Sequence, residues 1–465
     1  MHGIYGLIDI AISSLKTAQT ALMTTGDNIS NAENPKFTRR GVVFQERPPI
    51  VSLPILIGRG AEVVKIKRAY DPFLAKQWQN ELGNLGYYEV KKQALGRLEN
   101  IFNEVQGGGL SGALDAFWNA WEDVAADPTS MVNRYNLVNK TKTLAATFQK
   151  MSTDIKELQN DTDTEIKGVV DKINIITQQI AYLNEKIRGI EIKGVDANNF
   201  RDERDDLVRQ LAELADVTAF EDNGQITVLI GGVPVVEANR AFALSVETNA
   251  DGFYNILWNS GDNVSVDITQ RITKGKIAGY LEIRDEILPR YLDELDKLAY
   301  NLVNEINNQH QVGFGLDDST GNDFFEPLTA VSDAAQQISL NSVIENSPDK
   351  IAAASAAGEP GNNENALAII ALKNTGISAL GNANFSDFYQ SLVGLVGGEA
   401  QESNLNLEHQ ESMLKDIKDN FDSVSGVSMD EEAANLIKFQ QMYTASAKLI
   451  SIADEMMKTL INLGA

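Results

Sequence analysis

The sequence predicts a mainly α chain: an elongated helical rod built from its N- and C-terminal segments, with coiled-coil-like terminal helices and one small inserted β-rich domain. Three observations lead there. Apolar residues recur at alternating spacings of three and four over long runs at both ends and in the middle of the chain. Between residues 216 and 275 the pattern changes to short β-branched or aromatic runs separated by Gly, Asn and Asp. The chain has 465 residues with 43% hydrophobic content, enough to bury ordinary cores in about two to four domains.

The first helix carries Ile4, Ile8, Ala11, Leu15, Ala18 and Leu22, with Thr25 and Ile29 in the same register. That is a coiled-coil-like stripe on a helix of about thirty residues. It runs into TTGDNISNAENPKFTRR (24–40), where Asn34-Pro35 forbids further helix. The amides of Asn28 and Asn31 have two uses open to them: bonds to local backbone, or bonds to a neighbouring subunit.

Residues 72 to 105 repeat a helical period through Trp78, Leu82, Leu85, Leu95, Leu98, Phe102 and Val105. QGGGLSG breaks it, and Ser111 is the expected N-cap of the next helix. That helix gathers Leu114, Phe117, Trp118 and Trp121 near one face, which reads as core. Residues 155 to 190 hold a stripe from Ile155 to Ile190, and KGVDANNF reverses it into RDERDDLVRQLAELADV. This is a helical hairpin, whose charge run reads as a solvated face. The β-rich stretch follows. Helix then returns with Leu288, Leu292, Leu295, Ala299, Leu302 and Ile306, and Pro289 is the expected kink. Residues 313 to 365 are rich in Gly, Asp, Asn and Ala and read as loops with short elements.

A further stripe runs from Leu407 to Val424. After Ser425-Gly426, Ser428 and Glu431 are spaced as a capping box, with Asp430 and Glu432 at the positive end of the helix dipole. Leu436, Phe439, Tyr443, Ser446, Ile450, Ala453, Met457 and Leu460 then keep three-four spacing. This last helix is on the order of 50 Å long.

Composition excludes several functions. Forty Lys and Arg against 65 Asp and Glu leave a net charge of −25, a field that repels a phosphate backbone, so nucleic acid is not expected as a partner. The chain has no cysteine, which removes disulfides, thiolate metal sites and cysteine nucleophiles. No apolar run approaches the roughly 18 residues of a membrane span. Residues 1–23, interrupted by Asp9 and Lys16, do not form a secretory signal. His2, His310 and His409 are scattered. GGGLSG (107–112) fits G-x-G-x-x-G but follows a helix. DDSTGND (317–323) misses calcium-loop spacing and reads as a turn. No enzyme, metal or cofactor is expected.

The stretch Asn28, Ile29, Ser30, Asn31, followed by Phe37, resembles the N-terminal signature of bacterial flagellar axial proteins; Lys36 stands where that signature has glycine. GRGAEVVKIKRAYDPFLAKQ, GLSGALDAFWNAWEDVAADPTSMVNRYNLV, ANNFRDERDDLVRQLAEL, GKIAGYLEIRDEILP, NEINNQHQVGFGLDDSTGNDFF and SGVSMDEEAANLIKFQQMYTASAKLIS are similar, in order, to segments of the hook-associated protein 1 (FlgK-type) family. Longer members carry an outer β domain after DFF, and here the chain runs straight on.

The resemblance implies a structural hook–filament junction protein that polymerises at the distal end of the hook. It implies export through the flagellar type III apparatus without a cleaved signal, and residence outside the cell. The implied partners are further copies of itself, the hook protein, a second junction protein, and a cytoplasmic chaperone at the C-terminal helix. The expected division is 1–45 with 425–465 as terminal assembly helices, 46–215 with 276–424 as the helical rod core, and 216–275 as the β insertion. The expected assembly interface is Ile4, Ile8, Leu15, Leu22, Asn28, Asn31, Phe37, Leu436, Phe439, Tyr443, Ile450, Met457 and Leu460. The competing readings are another axial protein, such as the hook subunit or the second junction protein, or an adhesin built on a flagellar rod.

Overall fold

The structure, a computed structural model, describes residues 2–52, 55–102, 109–261 and 264–463. Val105 and the first glycines of the GGGLSG match lie outside the described residues.

Helix α1 (His2–Ser30) leads into a β-hairpin region of β1 (Arg40–Glu46), β2 (Ile50–Ser52), β3 (Ile55–Ile57) and β4 (Ala61–Arg68). β1 pairs antiparallel with β4, and β2 with β3. Sequence patterning assigned residues 46–68 to the helical rod. The structure makes strands of them: no side chain of β1 or β4 is fully buried, and β4 alternates half-buried with exposed positions only until Val64 and Lys65 shift the phase, so no continuous apolar period of two runs through the segment.

The rod follows. It comprises α2 (Pro72–Phe102), α3 (Leu110–Ala126), the 61-residue α4 (Met131–Glu191) and α5 (Asn198–Leu214). At 1.5 Å per residue α4 is on the order of 90 Å long and runs the length of the rod. Ser130 caps it by accepting from the Asn133 N–H. Ser111 is not the cap of α3: Gly109 holds that position and Ser111 lies in the first turn.

β5 (Val217–Asp222), β6 (Gln225–Ile230), β7 (Val233–Glu237) and β8 (Arg240–Ala241) form one antiparallel meander. β9 (Leu244–Thr248), β10 (Tyr254–Asn259) and β11 (Ser265–Asp267) form a second sheet, with β10 central. The insertion does not close a core of its own. Val228, Ile230, Val235 and Ile256 are buried in one cluster with Ile166, Val170 and Ile173 of α4 and Val208 and Leu211 of α5.

α6 (Gly275–Glu282) passes through a π-helical turn (Ile283–Ile287) into α7 (Leu288–Gln311). The irregularity therefore falls one turn before Pro289. The proline sits in the first turn of α7, where a missing N–H costs little. Short helices α8 (Ala334–Gln337), α9 (Ser342–Asn346) and α10 (Glu364–Ala371) punctuate the loop region before α11 (Phe385–Ser425) and α12 (Met429–Leu463).

The main core joins α2, α3, α4, α7, the loop aromatics Phe324 and Phe325, and the start of α11. Leu114, Phe117, Trp118 and Trp121 are fully buried in it, as their spacing predicts. His310 is buried there too. Ala352 N–H donates to its Nε2, so Nδ1 carries the proton and donates to the Asn322 carbonyl at 2.7 Å. This is a satisfied core histidine. The DDSTGND turn is held by Asp317, which accepts from Ser319 N–H and Lys350 Nζ. Burial raises the Asp317 pKa, but these bonds outweigh it and bring it down to about 2.

Candidate assembly interface and its charged joint

The two chain ends meet. α1 packs along α12 and against the β1–β4 hairpin, and neither α1 nor α12 contributes to the two cores of the rod. α1, α12 and the hairpin thus pack together as a terminal unit outside those two cores.

α1 divides its surface three ways. One face is pinned to the hairpin: Ser13 and Thr17 hydroxyls both donate to the Ala61 carbonyl. Asp9, the charge that interrupts the apolar stripe, accepts from Arg47 at 3.0 Å and Arg59 at 2.9 Å, and these two bonds lower its pKa. A second face is closed over by neighbours and is made of small residues: Ala11, Ala18 and Ala21 are fully buried, and Thr25 nearly so. The third face points outward with Tyr5, Ile12 and Met23 exposed.

Ile4, Ile8, Leu15 and Leu22, expected at the centre of the stripe, are only half-buried and flank the small-residue face. Pattern reading weights large apolar side chains, whereas close backbone approach selects small ones. That difference displaces the seam by part of a helical turn.

On α12 the expected line lies nearer the buried face. Ser446 and Ala453 are buried; Leu436, Phe439, Ile450 and Met457 are half-buried; Tyr443 and Leu460 are exposed. Phe439 meets Phe44 of β1 with ring centroids 6.4 Å apart. Ile437, Ile452 and Met456 are exposed as well.

The corner that ends at Asn34-Pro35 is a tie. Asn28, buried, bonds Arg40 both ways: its Nδ2 donates to the Arg40 carbonyl at 2.9 Å and its Oδ1 accepts the Arg40 N–H at 3.0 Å. Asn31 donates to the Asp27 carbonyl. Both asparagines thus use local partners. Phe37 is half-buried with the Arg40 guanidinium 4.5 Å from its ring centroid. Lys36 needs no glycine: among the described residues the non-glycine positive φ angles are at Asn223, Ala238, Asp318, Asp333 and Asn382. Its ammonium pairs with Asp206 at 2.9 Å.

That pair belongs to a joint between the terminal unit and the rod. Three chain crossings lie side by side: Arg39 N–H donates to the Ser425 carbonyl, and Ala69 N–H to the Arg39 carbonyl, both at 2.8 Å. Arg68 Nη1 reaches Asp202 and Asp205, both at 2.8 Å. Arg40 reaches Asp27 at 2.6 Å and Asp202 at 3.4 Å. Arg39 pairs with Glu431 at 2.7 Å and Glu432 at 2.8 Å. Burial lowers the Arg68 pKa, but Asp205 and Asp202 outweigh it and raise it.

The run RDERDD is therefore not a solvated face. Asp202, Arg204 and Asp205 are all buried. Of the capping box at Ser428, one half forms, at 3.4 Å from the Glu431 N–H; the Glu431 carboxylate turns to Arg39 instead. The clue was the count of cations in KFTRR and at Arg68, which need partners.

Among the described residues no group of three or more His, Asp or Glu is placed to hold a metal ion, and no helix is long and apolar enough to cross a membrane. A rod carrying a terminal unit made of its own two ends, with large apolar side chains turned outward, has the build of a subunit of an elongated assembly.

The family profile for the flagellar hook-associated protein FlgK helical domain matches residues 95–325. The profile for the C-terminal region of flagellar basal body rod FlgEFG proteins matches residues 418–463. Flagellar hook-associated protein 1 of Bacillus subtilis is 27% identical, over 98% of this chain and 97% of the relative. That of Escherichia coli is 23% identical, over 98% and 99%. The flagellar hook junction protein FlgK from Burkholderia pseudomallei superposes with a TM-score of 0.68 at 15% identity, over 75% of this chain and all of that one. The chain belongs to the family of FlgK-type flagellar hook-associated proteins.

Proposed function

We propose that this protein is a structural subunit of the bacterial flagellum that polymerises at the distal end of the hook and adapts it to the filament. The observation that carries the reading is the terminal unit: α1 and α12 pair through small buried residues and leave Tyr5, Ile12, Met23, Ile437, Ile452 and Met456 exposed. Repeated contacts of such faces between copies do not close on themselves and propagate as a helical array. Burial of the exposed side chains, at about 25 cal/mol per Å² of apolar surface, is then the driving term.

The half-buried Ile4, Ile8, Leu15, Leu22, Leu436, Phe439, Ile450 and Met457 flank those contacts. Further copies, the hook protein and a second junction protein are the proposed neighbours. A chaperone at α12 before type III export, residence outside the cell, and a purely structural role without catalysis complete the reading.

The test is a chain lacking residues 1–30 and 428–465. Both cores of the rod lie wholly outside those segments, so it is expected to be a folded, soluble monomer that no longer attaches to isolated hooks. Loss of the rod fold makes the terminal helices core elements and removes the assembly account. Normal attachment to hook ends removes the terminal unit as the contact.

A further inference from the structure

We infer that α5 is the pivot of this protein: its aspartate face is the socket that fixes the direction in which the terminal unit leaves the rod, with Asp202 and Arg68 as the positioning residues. The sequence of α5 sorts its charges by face. At about 100° per residue, Asp202, Asp205 and Asp206 share one side, and Arg201 and Arg204 the side next to it.

The structure uses the two sides for different bodies. The aspartates take Lys36, Arg40 and Arg68 of the terminal unit. The arginines turn to the rod and the insertion. Arg201 bonds Glu191 of α4 and Glu221 of β5. Arg204 bonds Glu221, the Asn184 side chain and the Gly224 carbonyl. The arginine side fastens α5 to the rod, and the aspartate side presents a fixed anionic socket.

Directed, desolvated bonds dominate this junction. The Arg68 and Asp202 side chains are 7% and 6% exposed. The Thr38 N–H approaches Asp202, and Asn198 of α5 donates to the Ile66 carbonyl at 2.7 Å. Aromatic contacts lie beside them: Phe421 against Tyr70 and Trp78, with Arg209 over Trp78 at 4.8 Å. Apolar contact is non-directional and tolerates sliding, whereas buried ion pairs tolerate one geometry only and are costly when half-made. A junction built this way holds an angle. The inference rests on the assembly reading only in taking the terminal unit as the part whose direction matters.

The chain has no native cysteine, so Glu185→Cys on α4 and Gln441→Cys on α12, both at exposed positions, give one clean pair of spin labels in the full-length protein. Their distance distribution is expected to be a single narrow peak, and Asp202→Asn with Asp205→Asn is expected to lose it while the rod melts unchanged. If that variant folds poorly because Arg68 is left buried without an anion, adding Arg68→Met removes the charge. The neutral triple variant is then expected to fold and still lack the narrow peak. A broad distribution in the parent protein, or a narrow one in the neutral triple variant, overturns the pivot. Attachment to isolated hooks is scored separately: a parent protein that gives the narrow peak but does not attach refutes the junction role and leaves the pivot standing.

Discussion

Arg39 joins the N-terminal chain to the first turn of α12, and its removal has a calculable effect. Arg39→Met keeps the aliphatic stem and removes the guanidinium. The backbone bonds of residue 39 to Ser425 and Ala69 do not depend on the side chain. What is lost is the bond at 2.8 Å to Glu432, whose side chain is 2% exposed, and the one at 2.7 Å to Glu431, which is 62% exposed. Removing one partner of a buried pair costs about 3–5 kcal/mol. Because the Arg39 side chain is itself 27% exposed, solvent screening discounts this to about 2–3 kcal/mol. The Glu431 contact adds about 0–1 kcal/mol.

The readout is amide hydrogen exchange in the first turns of α12 in the full-length protein. If those amides exchange by release of the helix end, the variant should exchange about thirtyfold to several-hundredfold faster. Arg39→Met combined with Glu432→Gln removes the stranded charge as well and should recover most of the protection. Unchanged exchange in the single variant, or equally fast exchange in the double one, refutes the reasoning. The first outcome says the pair does not hold the helix end, and the second that the loss was not electrostatic.

Three further outcomes follow from other sites. Burial holds the His310 pKa down to about 4, below its ordinary 6.5, so between those values the unfolded chain binds a proton that the folded one does not. Its neutral-state stability is present above pH 6.5 and lost as pH falls toward 4, by about 3 kcal/mol in total; urea unfolding should show the gap between parent and His310→Gln closing over that window. Gly86 of α2 faces the Glu213 carbonyl at the end of α5, where an added Cβ collides with backbone. Gly86→Ala should lower rod stability by about 1–3 kcal/mol, measured by thermal melting. Ile12→Glu with Met23→Glu changes two exposed positions: melting should move within about 0.5 kcal/mol, while attachment to hooks is abolished, and retained attachment counts against the outward face of α1.

Long periodic elements were legible because burial enforces their period. Phe117, Trp118 and Trp121 fall in the core as their spacing requires, and the turn at KGVDANNF falls where Gly194 supplies a positive φ. What escaped was set by partners distant in sequence. Arg40 and Arg68 are cations like any other until α5 arrives beside them, more than 130 residues on. The 40–68 hairpin escaped because its strands are mostly exposed, and the seam of α1 because alanines mark it.

That seam bears on how the terminal unit behaves. The side chains it hides completely are Ala11, Ala18, Ala21 and Ala453, each with little apolar area to withdraw from water. The larger side chains that would contribute about 1.5–3 kcal/mol each on full burial are half-covered or exposed. The pair therefore owes much of its position in one chain to polar ties, Asp9 to the hairpin arginines and Arg39 to Glu431 and Glu432. On the proposed reading the large apolar side chains find their cover only in neighbouring copies. Such a unit is held in direction by charges before assembly and in place by burial after it. This separates the two classes of variant: charge-neutral substitutions at the joint should spoil alignment, and polar substitutions on the outward faces should spoil attachment itself.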